Sequence, residues 1–137
     1  MNKKKKGDKA EREVYKIFES WGYIVNPAPR TMRRIFVNGK IIYVSQRNDH
    51  WSHFDGEARR RGEGVHFQVK SNYNDAQKVK RSIECWAREY MHPEEYFHIW
   101  LRVARKGYVR YLWTGTQWIK DFYTFDGEEK KPFELTT

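Results

Sequence analysis

Two stretches of the chain repeat their apolar residues at helical spacing, and nearly everything between and after them is patterned as short strands. In residues 9–20, Ala10, Val14, Ile17 and Phe18 recur on one face that Trp21 extends; in residues 75–90, Ala76, Val79, Ile83, Trp86 and Tyr90 do the same, while Lys78, Lys80, Arg81 and Arg88 fall away from it. The first helix is expected to start at an Asp8 N-cap and to stop at Gly22, which tolerates a left-handed terminus; Pro93 bars continuation of the second. Between them, Ile35-Phe36-Val37 and Ile41-Ile42-Tyr43-Val44 flank Asn38-Gly39, a dipeptide suited to a type I′ turn, so a hairpin is predicted there. Further strands are expected at residues 23–25, 51–58, 65–71, 96–103, 108–113 and 118–122. Helix, strands, helix, strands in that order predicts an α/β (mixed α+β) architecture, a central mixed sheet flanked by helices, rather than a bundle or a sandwich.

A chain of 137 residues has material for one core, so residues 1–137 are read as a single domain, with a basic, flexible segment at 1–7 and a loosely held tail at 127–137. Aromatic residues make up 17% of it, enough apolar area to offset chain entropy although a third of the residues are charged. The net charge of +9 predicts attraction to polyanions, because Lys and Arg that neutralise phosphates release condensed counterions. Cys85 is the lone cysteine, which excludes an internal disulfide and a zinc ribbon and points to an intracellular, cytoplasmic setting. The lysines at 3–6 lead into a charged stretch where a signal peptide needs an apolar one, and no run of about 18 apolar residues occurs, so neither secretion nor a membrane span is expected.

The chemistry-bearing segments are Phe54-Asp55-Gly56 and His66-Phe67-Gln68-Val69-Lys70-Ser71, on strands joined by a short basic turn. Residues two apart on a strand share a face, so Gln68 and Lys70 project together while Phe67 and Val69 enter the opposite layer. Asp55 on the neighbouring strand reaches the same space. A carboxylate and an amide oxygen are hard donors suited to Mg²⁺ or Mn²⁺, and an ammonium beside them can orient water and stabilise charge developing on a phosphate. The bland alternative is an ordinary polar strand edge with Asp55-Gly56 as a turn.

With Asp on one strand and Gln-x-Lys on the next, the chain resembles the PD-(D/E)XK nuclease superfamily, whose Asp and Glu-x-Lys residues sit on adjacent strands of an αβββαβ core. It is most similar there to the archaeal-type Holliday junction resolvases, which open with a Lys-Gly…Glu-Arg-Glu helix; the segment here reads Lys6-Gly7-Asp8-Lys9-Ala10-Glu11-Arg12-Glu13. The resemblance spans residues 6–90. It implies a restriction-endonuclease-like core and a Mg²⁺- or Mn²⁺-dependent DNA endonuclease, structure-selective on branched DNA and acting as a homodimer, because two symmetric incisions need two sites. It also implies that Glu11, matching the first-helix acid of the resolvases, joins Asp55, Gln68 and Lys70, with Glu13 as a lesser candidate.

Two departures stand out. Phe54 replaces the motif's proline, and Gln68 replaces the usual Glu, as in some branches such as the Mrr-like restriction nucleases, removing one negative charge from the metal site. Glu11 then carries more weight, but Asp8-x-x-Glu11 also fits a capping box, in which Glu11 would serve only the helix terminus. A restriction-like nuclease and a non-catalytic nucleic-acid-binding module on the same scaffold are the competing readings.

Arg30, Arg33 and Arg34 before the hairpin, Arg59, Arg60 and Arg61 at the turn between the two strands, and Ser71 are candidate phosphate contacts; solvated turns are the alternative. Asp49 is a spare carboxylate should the strand register differ. His50, His53 and His66 lack a cysteine set or a His-Asn-His order, so they are not read as a zinc site. Trp51 is read as core in preference to a stacking platform.

Overall fold

The structure is a computed structural model that describes residues 3–28, 30–47, 54–91 and 95–135. Helix α1 (Lys3–Ser20) leads into β1 (Ile24–Pro27), a hairpin of β2 (Arg30–Val37) and β3 (Lys40–Arg47), then β4 (Gly56–Arg60) and β5 (Glu63–Lys70). Helix α2 (Tyr73–Tyr90) crosses over to β6 (Glu95–Val103), followed by β7 (Gly107–Trp113) and β8 (Trp118–Tyr123). Six strands form one sheet in the order β1-β4-β5-β6-β7-β8, and β2 and β3 pair only with each other. β5 and β6 run parallel, as a helical crossover requires, while the other neighbours are antiparallel, so the sheet is mixed as the element order predicts. Asn38 and Gly39 both have positive φ, at 51° and 74°, as a type I′ turn demands.

The sheet separates two apolar layers. On the α1 side, Val14, Ile17 and Phe18 pack on Val65, Phe67, Val69, Trp100 and Tyr108; on the α2 side, Ala76, Ile83 and Ala87 pack with Phe54, Phe97, Ile99 and Leu101. β5 is buried on both faces over residues 65–69 yet alternates in sequence, with Val65, Phe67 and Val69 in the α1-side layer and His66 and Gln68 on the opposite face.

Several boundaries differ from the sequence expectation. α1 begins at Lys3, so residues 3–7 are helical rather than flexible, and Asp8 lies inside the helix instead of capping it. Lysine is a good helix former, and a helix nucleated by the apolar face beyond it propagates back at little cost. The tail is also held: Phe133 packs edge-on against Phe122 at 4.9 Å, Leu135 joins the α2-side layer, and Glu129 bridges to Tyr123, because two apolar residues find an open edge of the core. β1 extends to Pro27, which an edge strand tolerates because its outward N–H position has no partner to lose. β4 starts only at Gly56; the expected strand's residues 51–53, including Trp51 and His53, lie outside the described residues, as do Asp49 and His50.

Candidate active site

Asp55 immediately precedes β4 and is fully buried. Its backbone is clasped from both sides: the Ala28 N–H donates to its carbonyl at 2.8 Å, and its own N–H donates to the Phe67 carbonyl at 2.8 Å. The Val69 N–H donates to Asp55 Oδ2 at 2.6 Å, so the carboxylate is pinned to the backbone of β5 between Gln68 and Lys70. A buried carboxylate needs such donors, and a backbone N–H on a rigid strand also fixes its orientation. Asp55-Gly56 is thus the entry to a strand, not a connecting turn.

The residues on either side hold Asp55 there. Phe54, where the resembled motif has proline, is fully buried against Phe97 at 5.2 Å, His66 at 5.5 Å and Trp86 at 5.7 Å, anchoring the segment to the α2-side layer. At Gly56 a Cβ would stand 2.9 Å from Phe67 Cζ, closer than real contacts come, and 3.0 Å from the Asn26 carbonyl oxygen, tighter than most. Glycine is required because β1, β4 and the Phe67 ring converge at this point.

Gln68 and Lys70 leave β5 on the face opposite Val65, Phe67 and Val69, in register with Ile99 and Leu101 of β6 on the α2 side. Gln68 is buried and Lys70 half-buried at the strand's end. Just beyond, Ser71 is exposed and, with Asn72, Tyr73 and Asn74, lines a depression of about 340 Å³ over the carboxyl ends of the parallel β5 and β6. Asn72 is the N-cap of α2, its side chain accepting from the Asn74 and Asp75 N–H groups.

Glu11 is buried in the middle of α1, which removes the capping-box alternative, since a residue eight positions inside a helix that starts at Lys3 has no N-terminal groups to bond. Its Oε2 accepts from the Tyr15 hydroxyl at 3.4 Å, and the Tyr15 ring lies 5.8 Å from Phe67. Glu11 therefore approaches from the α1 layer, whereas Gln68 and Lys70 leave β5 toward α2. Glu13 is committed elsewhere, accepting from Arg102 Nε at 2.8 Å and from the Tyr108 hydroxyl at 2.7 Å. Burial pushes the Glu13 carboxyl up, but those two hydrogen bonds outweigh it and hold it below the usual range.

His66, on the α2 face beside Gln68, sits 3.3 Å from Glu95. Burial pulls its imidazole below the ordinary value, with the Glu95 carboxylate opposing. Among the described residues no three His, Cys, Asp or Glu side chains converge on one point. The donors of Asp55 and Gln68 nonetheless suit a small hard cation, a buried carboxylate pinned beside a buried amide, while Glu11 lies on the α1 side of the sheet.

The arginine cluster at residues 59–61 is not at this end of the fold. Arg59, Arg60 and Arg61 sit at the β4–β5 turn, and the length of those strands puts the turn roughly 20 Å from Asp55 and Lys70. Arg59 pairs with Glu57 at 3.2 Å and Arg60 with Glu63 at 2.8 Å, both at that remote end of the strands. Arg30, Arg33 and Arg34 lie on β2.

Sequence reasoning did not single out Arg110, His98 or Tyr96. With Trp21, Tyr23, Arg60 and Tyr123 they line a cleft of about 760 Å³ on the α1 side. The available signal was one charge, Arg110, inside the otherwise apolar Tyr108-Val109-Arg110-Tyr111-Leu112-Trp113, the same kind of interruption that marks Gln68. No helix is long and apolar enough to cross a membrane among the described residues.

No protein-family model matches the chain, and neither a curated protein nor a solved structure matches it.

Proposed function

We propose that the chain is a metal-dependent DNA endonuclease in which Asp55, Gln68 and Lys70, assisted by Glu11, hydrolyse a phosphodiester bond. The observation that carries the reading is the buried Asp55 carboxylate held by the Val69 N–H, between the polar side chains of Gln68 and Lys70. The element order supports it: leaving aside the separate hairpin, α1, the antiparallel β1, β4 and β5, the crossover α2 and the parallel β6 run in the αβββαβ order of the PD-(D/E)XK core that the sequence resembles.

Asp55 and the Gln68 amide oxygen would hold a Mg²⁺ or Mn²⁺ ion, which when bound supplies Lewis acidity to the phosphate; Glu11, which the resemblance adds as a ligand, would have to reach that ion from the α1 side. Lys70, at the end of β5, orients the attacking water and offsets negative charge on the phosphoryl oxygens as the new P–O bond forms and the leaving oxygen departs in line, the water giving its proton to solvent and the leaving oxygen taking one from solvent. Gln68 orients and does not take a proton, since an amide is not a base at neutral pH. The net charge of +9 suits a polyanionic substrate. Preference for branched DNA and action as a homodimer are the finer parts of the proposal and rest on the resemblance to the junction resolvases; a Mrr-like restriction activity is the nearest rival.

The test is incubation with labelled linear, flap and four-way DNA with and without Mg²⁺ or Mn²⁺. Metal-dependent cleavage lost in both Asp55→Ala and Lys70→Ala is expected, and full activity in either variant sinks the assignment. Equal cutting of linear duplex and junction refutes branch selectivity, and a monomer on a sizing column refutes the dimer. The amide at Gln68, in place of a second strand carboxylate, favours one further reading, a binding module without catalysis, which predicts DNA binding and no cleavage under any metal condition.

A further inference from the structure

Helix α1 covers only part of its side of the sheet. Trp100 and Tyr108 lie in the layer around Phe18, but the same face continues through Tyr96, His98, Arg110 and Leu112 into the 760 Å³ cleft, closed at one end by Trp21 and Tyr123. Tyr96 is 40% exposed, unusual for so large an aromatic on a central strand.

The cleft's chemistry is specific. The Trp21 and Tyr123 rings are 5.2 Å apart, and the Arg110 guanidinium lies 5.3 Å from the Tyr123 ring centre and 5.8 Å from that of Trp21. Arg60 stacks over Tyr23 at 4.5 Å. Each cation is already balanced, Arg110 by Asp121 at 2.5 Å and Arg60 by Glu63 at 2.8 Å, and Glu129 adds a further carboxylate. Such a lining repels a naked phosphate and favours a flat, uncharged ring, which gains by stacking on aromatic and guanidinium planes and meets donors and acceptors around its rim.

His98 completes the lining from below. It is stacked on Phe18 at 5.9 Å, almost wholly buried, and its Nδ1 has no hydrogen-bond partner among the described residues. Burial pulls this imidazole well below its ordinary pKa, so near neutral pH it presents one donor and one acceptor nitrogen.

We propose that this cleft takes an unpaired nucleobase of a single-stranded nucleic-acid segment, stacked against Tyr96, Trp21 and Tyr123. The proposal extends the nuclease reading by giving the same polymer a second contact at the turn end of β4 and β5, remote from Asp55, and it is tested without cleavage. Binding of a short labelled oligothymidine strand and of an abasic strand of equal length is measured by fluorescence anisotropy, with metal chelated.

The base-bearing strand is expected to bind the wild-type chain about tenfold tighter, the scale of one base–aromatic stack. Tyr96→Ala should remove most of that gap while leaving abasic-strand binding unchanged, with folding checked by circular dichroism, and Trp21→Phe, which keeps a ring in the core, should narrow it. Equal binding of the two strands by the wild type, or a gap that survives in Tyr96→Ala, overturns the proposal. Displacement by thymidine monophosphate at the same concentration as the strand itself overturns the strand-borne form in favour of a free nucleotide. A gap present in a chain that never cleaves DNA sinks the active-site reading alone, and cleavage without a gap sinks this one alone.

Discussion

The Val69 backbone N–H lies 2.6 Å from Asp55 Oδ2, so a buried carboxylate is oriented by the same strand that carries Gln68 and Lys70. This bond separates structural from chemical roles for Asp55. Asp55→Asn retains an acceptor for Val69 and removes the charge, so it should fold with nearly unchanged Tm and lose cleavage. Asp55→Ala leaves a buried N–H unmatched and should in addition lose about 1–3 kcal/mol of stability in denaturant titration. An Asn variant that still cleaves would remove Asp55 from the chemistry.

Gly56→Ala places a methyl group 2.9 Å from Phe67 Cζ and 3.0 Å from a backbone carbonyl that cannot easily move. Overpacking of this kind costs about 1–3 kcal/mol. Because the displaced residue adjoins Asp55, activity should fall by more than the loss of folded protein explains, which specific activity corrected for the folded fraction will show.

Glu11 and Glu13 sit two residues apart on α1 and should respond oppositely. Glu13→Ala breaks the bonds to Arg102 and Tyr108 and should lower stability by about 1–2 kcal/mol, discounted for partial exposure, without changing the metal requirement. Glu11→Gln should leave Tm nearly unchanged and raise the Mg²⁺ concentration needed for half-maximal cleavage by about tenfold or more. The same metal titration for Glu11→Gln and wild type would leave Glu11 a purely structural residue.

The contrast between those neighbours also marks what the sequence could and could not convey. The apolar faces of both helices, the Asn38-Gly39 hairpin and the alternation around Gln68 and Lys70 are local patterns of period 3.6 or 2, and the structure follows them. The start of α1 escaped because a lysine run carries no apolar marker, and the anchoring of Phe133 and Leu135 because their partners are distant in sequence. Glu13's partners, Arg102 and Tyr108, lie on β6 and β7, and the β4–β5 turn is remote from Asp55 only because strand length carries it there. The cleft lined by Tyr96, His98 and Arg110 arises from pairing of β6 with β7, which single-strand patterns do not reveal.

His66 and His98 make stability fall in mild acid. Burial is the largest cause of both depressed pKa values, so the folded chain resists protonation that the unfolded chain accepts near its ordinary value of 6.5. The unfolded state then binds more protons below that pH, and each histidine lowers stability by up to about 1.4 kcal/mol per pH unit until its folded pKa is reached. Tm should be level above pH 7 and decline between pH 6.5 and 5, before carboxylates titrate. His98→Leu should make that decline shallower, and an unchanged slope would show that His98 does not contribute.

The chain leaves the sheet after Pro27 and re-enters it at Gly56, and those two residues are paired directly with each other. The β2–β3 hairpin is therefore an excursion whose exit and return are already side by side, fastened where the Ala28 N–H meets the Asp55 carbonyl. Insertions or deletions within such an excursion change closure entropy only slowly and leave the register of the sheet untouched. A change of length in the hairpin therefore leaves the six-stranded frame in place, whereas a change at the clasp reaches Asp55 directly.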